Sequence, residues 1–441
     1  MAHLLLCSSP IWGHVAPMLQ VGADLVARGH RVSLLTGAKY RARVEEAGMR
    51  FLPLPTECDY DDANLDAWLP GRAGKKGLAA VRYDITGMFV RVIPGQHRAL
   101  TAALDADAYD AILCEGVFTG VLPLLLSTPR GNRPPVIGIS ALPLTARSVD
   151  TAPYGPGMAP GSGPLARVRN RLLNAMIYGG ALKPITDAAN ERLYVCGSRP
   201  LDGTIFDMVR LFDHTFELGA AGLEYPRREL AGHVEFVGPL GLPAAASTAL
   251  PEWWADLRGS RPVVHVTQGT IDNADLSRVL APTLRGLAGE DVLVVASTGG
   301  RPVDEVTRLL GGTLPGNARV AEFLPYDQLL PLTDVVVTNG GFGGVQQAVA
   351  HGVPLVVAGT TEDKPEVAAR VAWSGTGLSL RTGTPTPEKV RKAVLRVLAD
   401  DRYRAAAAGI AREVEALGDP LERIVAALPT RETRRSDAAG R

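Results

Sequence analysis

Residues 338–370 read TNGGFGGVQQAVAHGVPLVVAGTTEDKPEVAAR, and this stretch decides the fold. It joins a glycine-rich turn, a helix start, a buried strand and a polar turn in one unit. The run Asp334-Val335-Val336-Val337-Thr338 leading into it is short and β-branched, which suits a strand buried on both faces of a parallel sheet. Asn339 to Gly344 then forms the turn at the strand's carboxyl end. Four of these six residues are glycine, so the backbone can take positive φ and approach a ligand closely. The helix expected from about Gly344 to His351 offers free N–H groups and the positive end of its dipole to an anion. Gly352-Val353-Pro354 stops that helix, Leu355 to Ala358 forms the next strand, and its terminal turn, Gly359 to Lys364, reaches the same edge of the sheet. The unit reads as a binding site for a nucleotide-linked, phosphate-bearing ligand.

The chain has 441 residues, enough for two domains of ordinary size. Its 46 Lys and Arg balance 46 Asp and Glu, so the whole molecule has no electrostatic bias toward nucleic acid or an anionic membrane, and small-molecule partners are expected. Cys7, Cys58, Cys114 and Cys196 are scattered, which argues against a zinc site or disulfide framework and fits a reducing cytoplasm. The first apolar run, Leu4 to Cys7, is short and lacks a basic leader, and no run approaches the ~20 apolar residues of a membrane span. A cytoplasmic protein without a membrane span is the expectation.

Outward from the central stretch, strands and helices alternate in both directions, the pattern of doubly wound parallel sheets. The first half should contain strands at His3 to Cys7, Arg31 to Thr36, Phe51 and Leu52, Ala111 to Cys114, Pro135 to Ile139 and Met208 to Phe212. Helices are expected over Pro17 to Arg28, Tyr40 to Glu46, Leu78 to Leu104 and, with breaks, Leu165 to Val195. Residues 141–164 are rich in Gly and Pro and should form a long loop at the carboxyl edge. Gly238 to Thr248 is aperiodic, with two prolines and two glycines, so a first domain over 1–240 and a linker over 241–259 are expected. A second domain over 260–428 begins with strand Val263 to Thr267, helix Asp275 to Leu287 and strand Val292 to Ala296. It ends with helices over Pro387 to Ala399 and Asp401 to Leu428, the last a candidate to cross back, before a disordered tail, 429–441.

The stretch from Asn339 resembles the donor-binding motif of the family 1 glycosyltransferases of GT-B fold, which carry a His-Gly-Gly-x-Gly-Thr turn, a glutamate on the helix, Gly-Val-Pro and an Asp-Gln pair. Gly340, Gly341, Gly343, Gly352, Val353, Pro354 and Asp363 stand in that spacing. Asn339 occupies the family's histidine position, Gln347 its ribose-binding glutamate and Lys364 its sugar-binding glutamine. The resemblance implies α/β architecture with two Rossmann-like domains facing a cleft. It also implies donor contacts from Thr270, Thr298, Gly299, Phe323, Leu324, Tyr326, Asn339, Gly341, Gly343, Gly344, Gln347, Asp363 and Lys364.

In the first half, the loop Ser9-Pro10-Ile11-Trp12-Gly13-His14-Val15-Ala16-Pro17 is similar to the family's Gly-His-x-x-Pro loop. Transfer to a hydroxyl needs a base, and histidine has the near-neutral pKa for it. The resemblance implicates His14 as that base and Glu115, at the end of the strand from Ala111, as the carboxylate that fixes its tautomer. The implied activity is inverting transfer of a hexose, with glucose the first candidate, from a UDP- or dTDP-sugar to a hydroxyl of a hydrophobic acceptor such as a polyketide, macrolide or phenolic compound. That is a nucleotide-sugar-dependent O-glycosyltransferase, with the nucleotide sugar as co-substrate, no cofactor and no metal. The departures at Asn339, Gln347 and Lys364 leave room for a non-catalytic nucleotide-sugar-binding partner protein, and the architecture for a sugar-nucleotide epimerase. Oligomeric state, acceptor, sugar and nucleobase are not fixed by these residues.

Overall fold

The computed structural model describes residues 1–230, 232–241, 250–270 and 272–429. The middle of the expected linker, 242–249, and the tail from 430 lie outside the described residues.

Two parallel sheets organise the chain. The first contains β1 (His3–Cys7), β2 (Arg31–Thr36), β3 (Arg50–Pro53), β4 (Ala111–Glu115), β5 (Val136–Ser140), β6 (His214–Glu217) and β7 (Val234–Phe236), in the order β3-β2-β1-β4-β5-β6-β7. The second contains β8 (Val263–Thr267), β9 (Leu293–Ser297), β10 (Ala318–Ala321), β11 (Val335–Thr338), β12 (Leu355–Val357) and β13 (Gly377–Ser379), in the order β10-β9-β8-β11-β12-β13. Every pairing is parallel. The central strands β1, β4, β8 and β11 are buried along nearly their whole length because helices cover both faces of each sheet. In each sheet the strand order reverses beside the first strand, at β1/β4 and at β8/β11. Such switch points open crevices at the carboxyl ends of the strands, where ligands bind in folds of this kind.

Several elements differ from the expectation. The first helix begins at Trp12, not Pro17, because the Asp62 carboxylate accepts the Trp12 N–H at 2.6 Å and Pro17 is accommodated inside the helix. Met208 to Phe212 is not a strand: residues 205–210 form a 3₁₀ turn, started by a capping box between Thr204 and Asp207, and the strand follows at His214. The helix expected from Leu78 to Leu104 is interrupted by a π-turn over Thr86–Val90. Regular helix after β8 is confined to Leu280–Gly286, since the Gln268 side chain accepts the N–H groups of Val279 and Leu280 and caps it there. The last stretch breaks at Gly418 (φ +75°) into Asp401–Leu417 and Pro420–Ala426.

That final helix leaves the second sheet. Ile424 and Leu428 are buried in the core of the first, beside Val15, Met18 and Val21, and Arg423 pairs with Glu235 at 2.6 Å. Of the expected linker, residues 252–258 form a 3₁₀ segment whose Leu257 packs with Val263 and Leu293 of the second sheet. Among the described residues, no helix is long and apolar enough to cross a membrane.

Candidate active site

His14 is the third residue of the first helix, which rises directly from the carboxyl end of β1. Glu115 is the last residue of β4, the next strand across the switch point. Because Cys7 and Cys114 are in register, the two side chains emerge at one edge and meet, His14 Nδ1 to Glu115 Oε1 at 2.6 Å. The same Oε1 accepts the Val117 N–H at 2.9 Å, which fixes the carboxylate, while Oε2 is buried with no protein partner. A carboxylate at Nδ1 holds the proton there and leaves the Nε2 lone pair free to accept one, the tautomer a base requires. Burial works to lower the His14 pKa, but the Glu115 charge and hydrogen bond, followed by the charges of Asp363 and Glu362, outweigh it and leave it raised.

Asp363 and Glu362 lie in the second domain, in the turn after β12, so the charges that act on the first domain's histidine come from both domains. Asp363 is the N-cap residue of helix Lys364–Trp373 and uses no side-chain cap bond there. Its carboxyl is raised, chiefly by burial, against the pull of Lys364. Glu362 holds φ at +55°, a left-handed conformation that a non-glycine residue rarely adopts.

The other expected donor residues divide into two groups. Thr270, Gly299, Asn339, Gly341, Gly343 and Gly344 occupy the turns after β8, β9 and β11 and the helix start beyond them. These turns are packed backbone to backbone. Gly299, at φ +67°, would place a Cβ 2.1 Å from the Gly269 carbonyl oxygen, so no larger residue fits. Asn339 Nδ2 donates to the Gln268 carbonyl at 2.7 Å and ties the third turn to the first. The helix Phe342–Ala350 begins at Gly341 without a side-chain cap, and an added Cβ at 341, 343 or 344 meets no atom within 4 Å. The helix flank is open at these three glycines, and the free first-turn N–H groups of a helix N-terminus suit an anion. Phe323 is exposed beside Gly300 and can stack on a planar ring, with Leu324 packed beneath it in the domain core.

Four residues are committed elsewhere. Gln347 is buried and donates through Nε2 to the Leu240 carbonyl at 2.6 Å, so this group is spent on the first domain's exit segment rather than held out toward a ribose. Tyr326 turns its hydroxyl back into the sheet, 2.9 Å from His265 Nε2 and 3.4 Å from Ser297 Oγ, away from any base-reading position. Thr298 is buried and donates to the Arg301 carbonyl in its own turn. Lys364 is also buried, and its ammonium is held between Glu362 and Asp272, the latter at 3.3 Å.

The sequence reading missed residues that organise this edge. Asn273 is buried and its amide donates to the carbonyls of Gly269, Thr298 and Gly299 at 3.0–3.1 Å, stapling two turns together. Asp272 gathers Arg278 at 2.6 Å and Lys364. Glu366 accepts the backbone N–H groups of Gly155 and Gly157 at 2.7 and 2.8 Å, linking the long loop 141–164 to the second domain. Only proximity in the fold reveals these contacts, because the partners stand 25 to 211 residues away in sequence for all but Gly269, Arg278 and Asn273's own turn. Among the described residues, no group of His, Cys, Asp and Glu is placed to hold a metal ion.

Comparison with known proteins agrees with this geometry. Residues 296–428 match the family described as Erythromycin biosynthesis protein CIII-like, C-terminal domain. The chain is 38% identical over 419 residues to 4'-demethylrebeccamycin synthase of Lentzea aerocolonigenes, covering 94% of this chain and 96% of the relative. It is 34% identical over 440 residues to UDP-glycosyltransferase 2 of Phaeomoniella chlamydospora, covering 96% and 94%. In fold it is similar to the glycosyltransferase of kitacinnamycin, with a TM-score of 0.70 at 24% identity over 97% of this chain and 99% of that one. With near-complete coverage at that identity, and with both sheets and the glycine turn in place, the chain belongs to the family 1 glycosyltransferases of GT-B fold.

Proposed function

We propose that this glycosyltransferase moves a hexose, glucose in the first instance, from a UDP- or dTDP-sugar to a hydroxyl of a hydrophobic natural product, with inversion. The observation that carries the proposal is the 2.6 Å His14–Glu115 pair, set in the first domain, with the charges of the Asp363 turn of the second acting on it. His14 Nε2 takes the acceptor proton as the oxygen attacks the anomeric carbon, and Glu115 stabilises the resulting imidazolium. The nucleoside diphosphate leaves from the opposite face. The first-turn N–H groups of helix Phe342–Ala350 and the turns at Thr270 and Gly299 are the groups offered to its charge. Phe323 offers its ring to the base. Asp363 is the acceptor for hexose hydroxyls, since an ionised carboxylate accepts from two at once. Lys364, held by Asp272 and Glu362, orders the turn that presents Asp363.

A relative named as a glucosyltransferase, UDP-glucosyltransferase B1 of Starmerella bombicola, is 32% identical over 93% of this chain and 94% of its own length, and supports glucose as the first donor to test. The test is incubation with UDP-glucose and dTDP-glucose against a panel of phenolic, polyketide and macrolide acceptors. Product mass identifies transfer, and the anomeric coupling constant of the product identifies inversion. A β-glucoside from an α-linked donor is the expected product. Retention of configuration, or no transfer with either nucleotide, contradicts the proposal.

A further inference from the structure

Helix Gly163–Met176 is built inside out. Its one buried residue is Asn170, whereas Leu165, Val168, Leu172 and Met176 stand 85%, 58%, 66% and 60% exposed. At about 100° per residue these four form one stripe on the side away from Asn170. The inward face is polar because it serves the backbone of the loop before it. Asn170 Nδ2 donates to the carbonyls of Val149 and Pro160, both at 3.2 Å, and Asn174 Nδ2 to those of Ser148 and Thr151 at 3.0 and 3.1 Å. An ordinary surface helix reverses this arrangement, and a contiguous apolar stripe in water marks a surface that something covers.

The charge around the stripe is of one sign. On the same helical projection Arg167 and Arg171 border one side and Arg169 the other. From residue 151 to residue 186 the sequence contains no Asp or Glu, and Lys183, on the next helix, is neutralised by Asp187 at 2.6 Å, so the three arginines carry the charge. Asp150 receives Arg167 at 3.0 Å, but it also receives Arg228 at 2.9 Å, so two guanidiniums share one negative charge. Arg169 donates to the carbonyls of Pro160 and Ala159 at 2.7 and 3.1 Å, which leave its charge unneutralised. Arg171 is exposed. The chain as a whole is neutral, so this is a local positive field around an apolar line.

We infer that this face docks on an anionic lipid surface. The helix lies in the plane of the interface, with Leu165, Val168, Leu172 and Met176 at the acyl boundary and the arginines on lipid phosphates. A second copy of the chain fits less well. A two-fold contact places the same patch against itself, which sets three arginines against three arginines with no acidic residue on the helix to separate them, and like charges across an interface are costly.

The test is co-sedimentation of the full-length protein with vesicles of phosphatidylcholine alone and of phosphatidylcholine mixed with phosphatidylglycerol. Binding to the anionic vesicles only, weakening as salt rises, is expected. Leu165→Glu combined with Leu172→Glu should reduce binding to background, and Arg171→Gln should weaken it about fivefold. Both sites are exposed, and circular dichroism and gel filtration show whether the variants keep the fold; Arg171→Gln alone keeps the test decisive if the double variant does not. No binding to anionic vesicles at low salt, or binding that neither variant changes, overturns the inference. A concentration-dependent dimer that the double variant abolishes, without vesicle binding, overturns it in favour of a second copy.

Discussion

The Arg370 guanidinium, on helix Lys364–Trp373 of the second domain, grips the Glu224 carboxylate of the first domain through two bonds of 2.7 and 2.9 Å. Both groups are buried. Arg227 joins Glu224 at 2.8 Å, Glu366 joins Arg370 at 2.7 Å, and the Tyr225 ring lies 4.3 Å from the guanidinium. Since Glu366 also holds Gly155 and Gly157, one buried network connects the helix that begins at Asp363 to the loop 141–164 on the facing domain.

Breaking this network should cost much of the protein's stability. Arg370→Met leaves the buried Glu224 with Arg227 alone and the buried Glu366 with backbone N–H groups but no cation, a loss of up to about 3–5 kcal/mol by the usual measure of a broken buried pair. Urea unfolding monitored by fluorescence measures it. A loss below ~1 kcal/mol would mean the pair is spectator to folding.

The same network has a pH signature. Burial opposes the Glu224 charge, but Arg370 and Arg227 prevail and hold its carboxyl down to about 2 from 4.5. A depressed carboxyl contributes stability that is present above the unfolded value and is lost as pH falls through the folded one. Stability should therefore decline between pH 4.5 and about 2, and Glu224→Gln should show a shallower acid slope from a lower starting point. Parallel acid slopes in the two proteins would contradict this assignment.

Activity should respond to pH through a different group. The His14 pKa is raised despite burial, because Glu115, Asp363 and Glu362 surround it. A base acts when neutral, so the acidic limb of the kcat/KM profile should fall above 6.5 and activity should climb as pH rises through it. Glu115→Gln removes the largest favourable charge, leaves burial in place and should move that limb to lower pH, with a lower plateau. Asp363→Asn should move it in the same direction by less. An unmoved limb in Glu115→Gln would detach the titration from this pair.

Gln347 and Asp363 should separate cleanly. Gln347→Ala removes the donor to the Leu240 carbonyl and should cost about 1–3 kcal/mol of stability, with UDP affinity changed less than about fivefold. Asp363→Ala should leave stability nearly intact and weaken UDP-glucose binding more than UDP binding. Calorimetry with both ligands checks both. Equal losses for the two ligands in Asp363→Ala would remove that residue from the hexose.

These outcomes also mark what was legible in the sequence. The strands at 263–267 and 335–338 were readable because burial on both faces demands an unbroken β-branched run. The turn from Asn339 was readable because close backbone approach demands glycine. His14 and Glu115 were picked out by the family resemblance, and the topology explains why they meet, since two strand ends at one switch point converge. The contacts of Gln347 and Lys364 were not, because they depend on Leu240 and Asp272, 107 and 92 residues away. The apolar run at 208–212 misled for a local reason: the capping box at Thr204 and Asp207 outweighs β propensity there. The outward apolar face of helix 163–176 has the right period for a helix, and periodicity alone does not say which face is buried.

The most direct test of the central claim is single-turnover transfer by His14→Ala with donor affinity measured in parallel. Loss of a general base should slow transfer about 10²- to 10⁴-fold, equivalent to roughly 3 to 5.5 kcal/mol in the barrier, while UDP-sugar binding by calorimetry stays unchanged. Transfer at the wild-type rate in a variant that binds donor normally would contradict the assignment of His14 as the base.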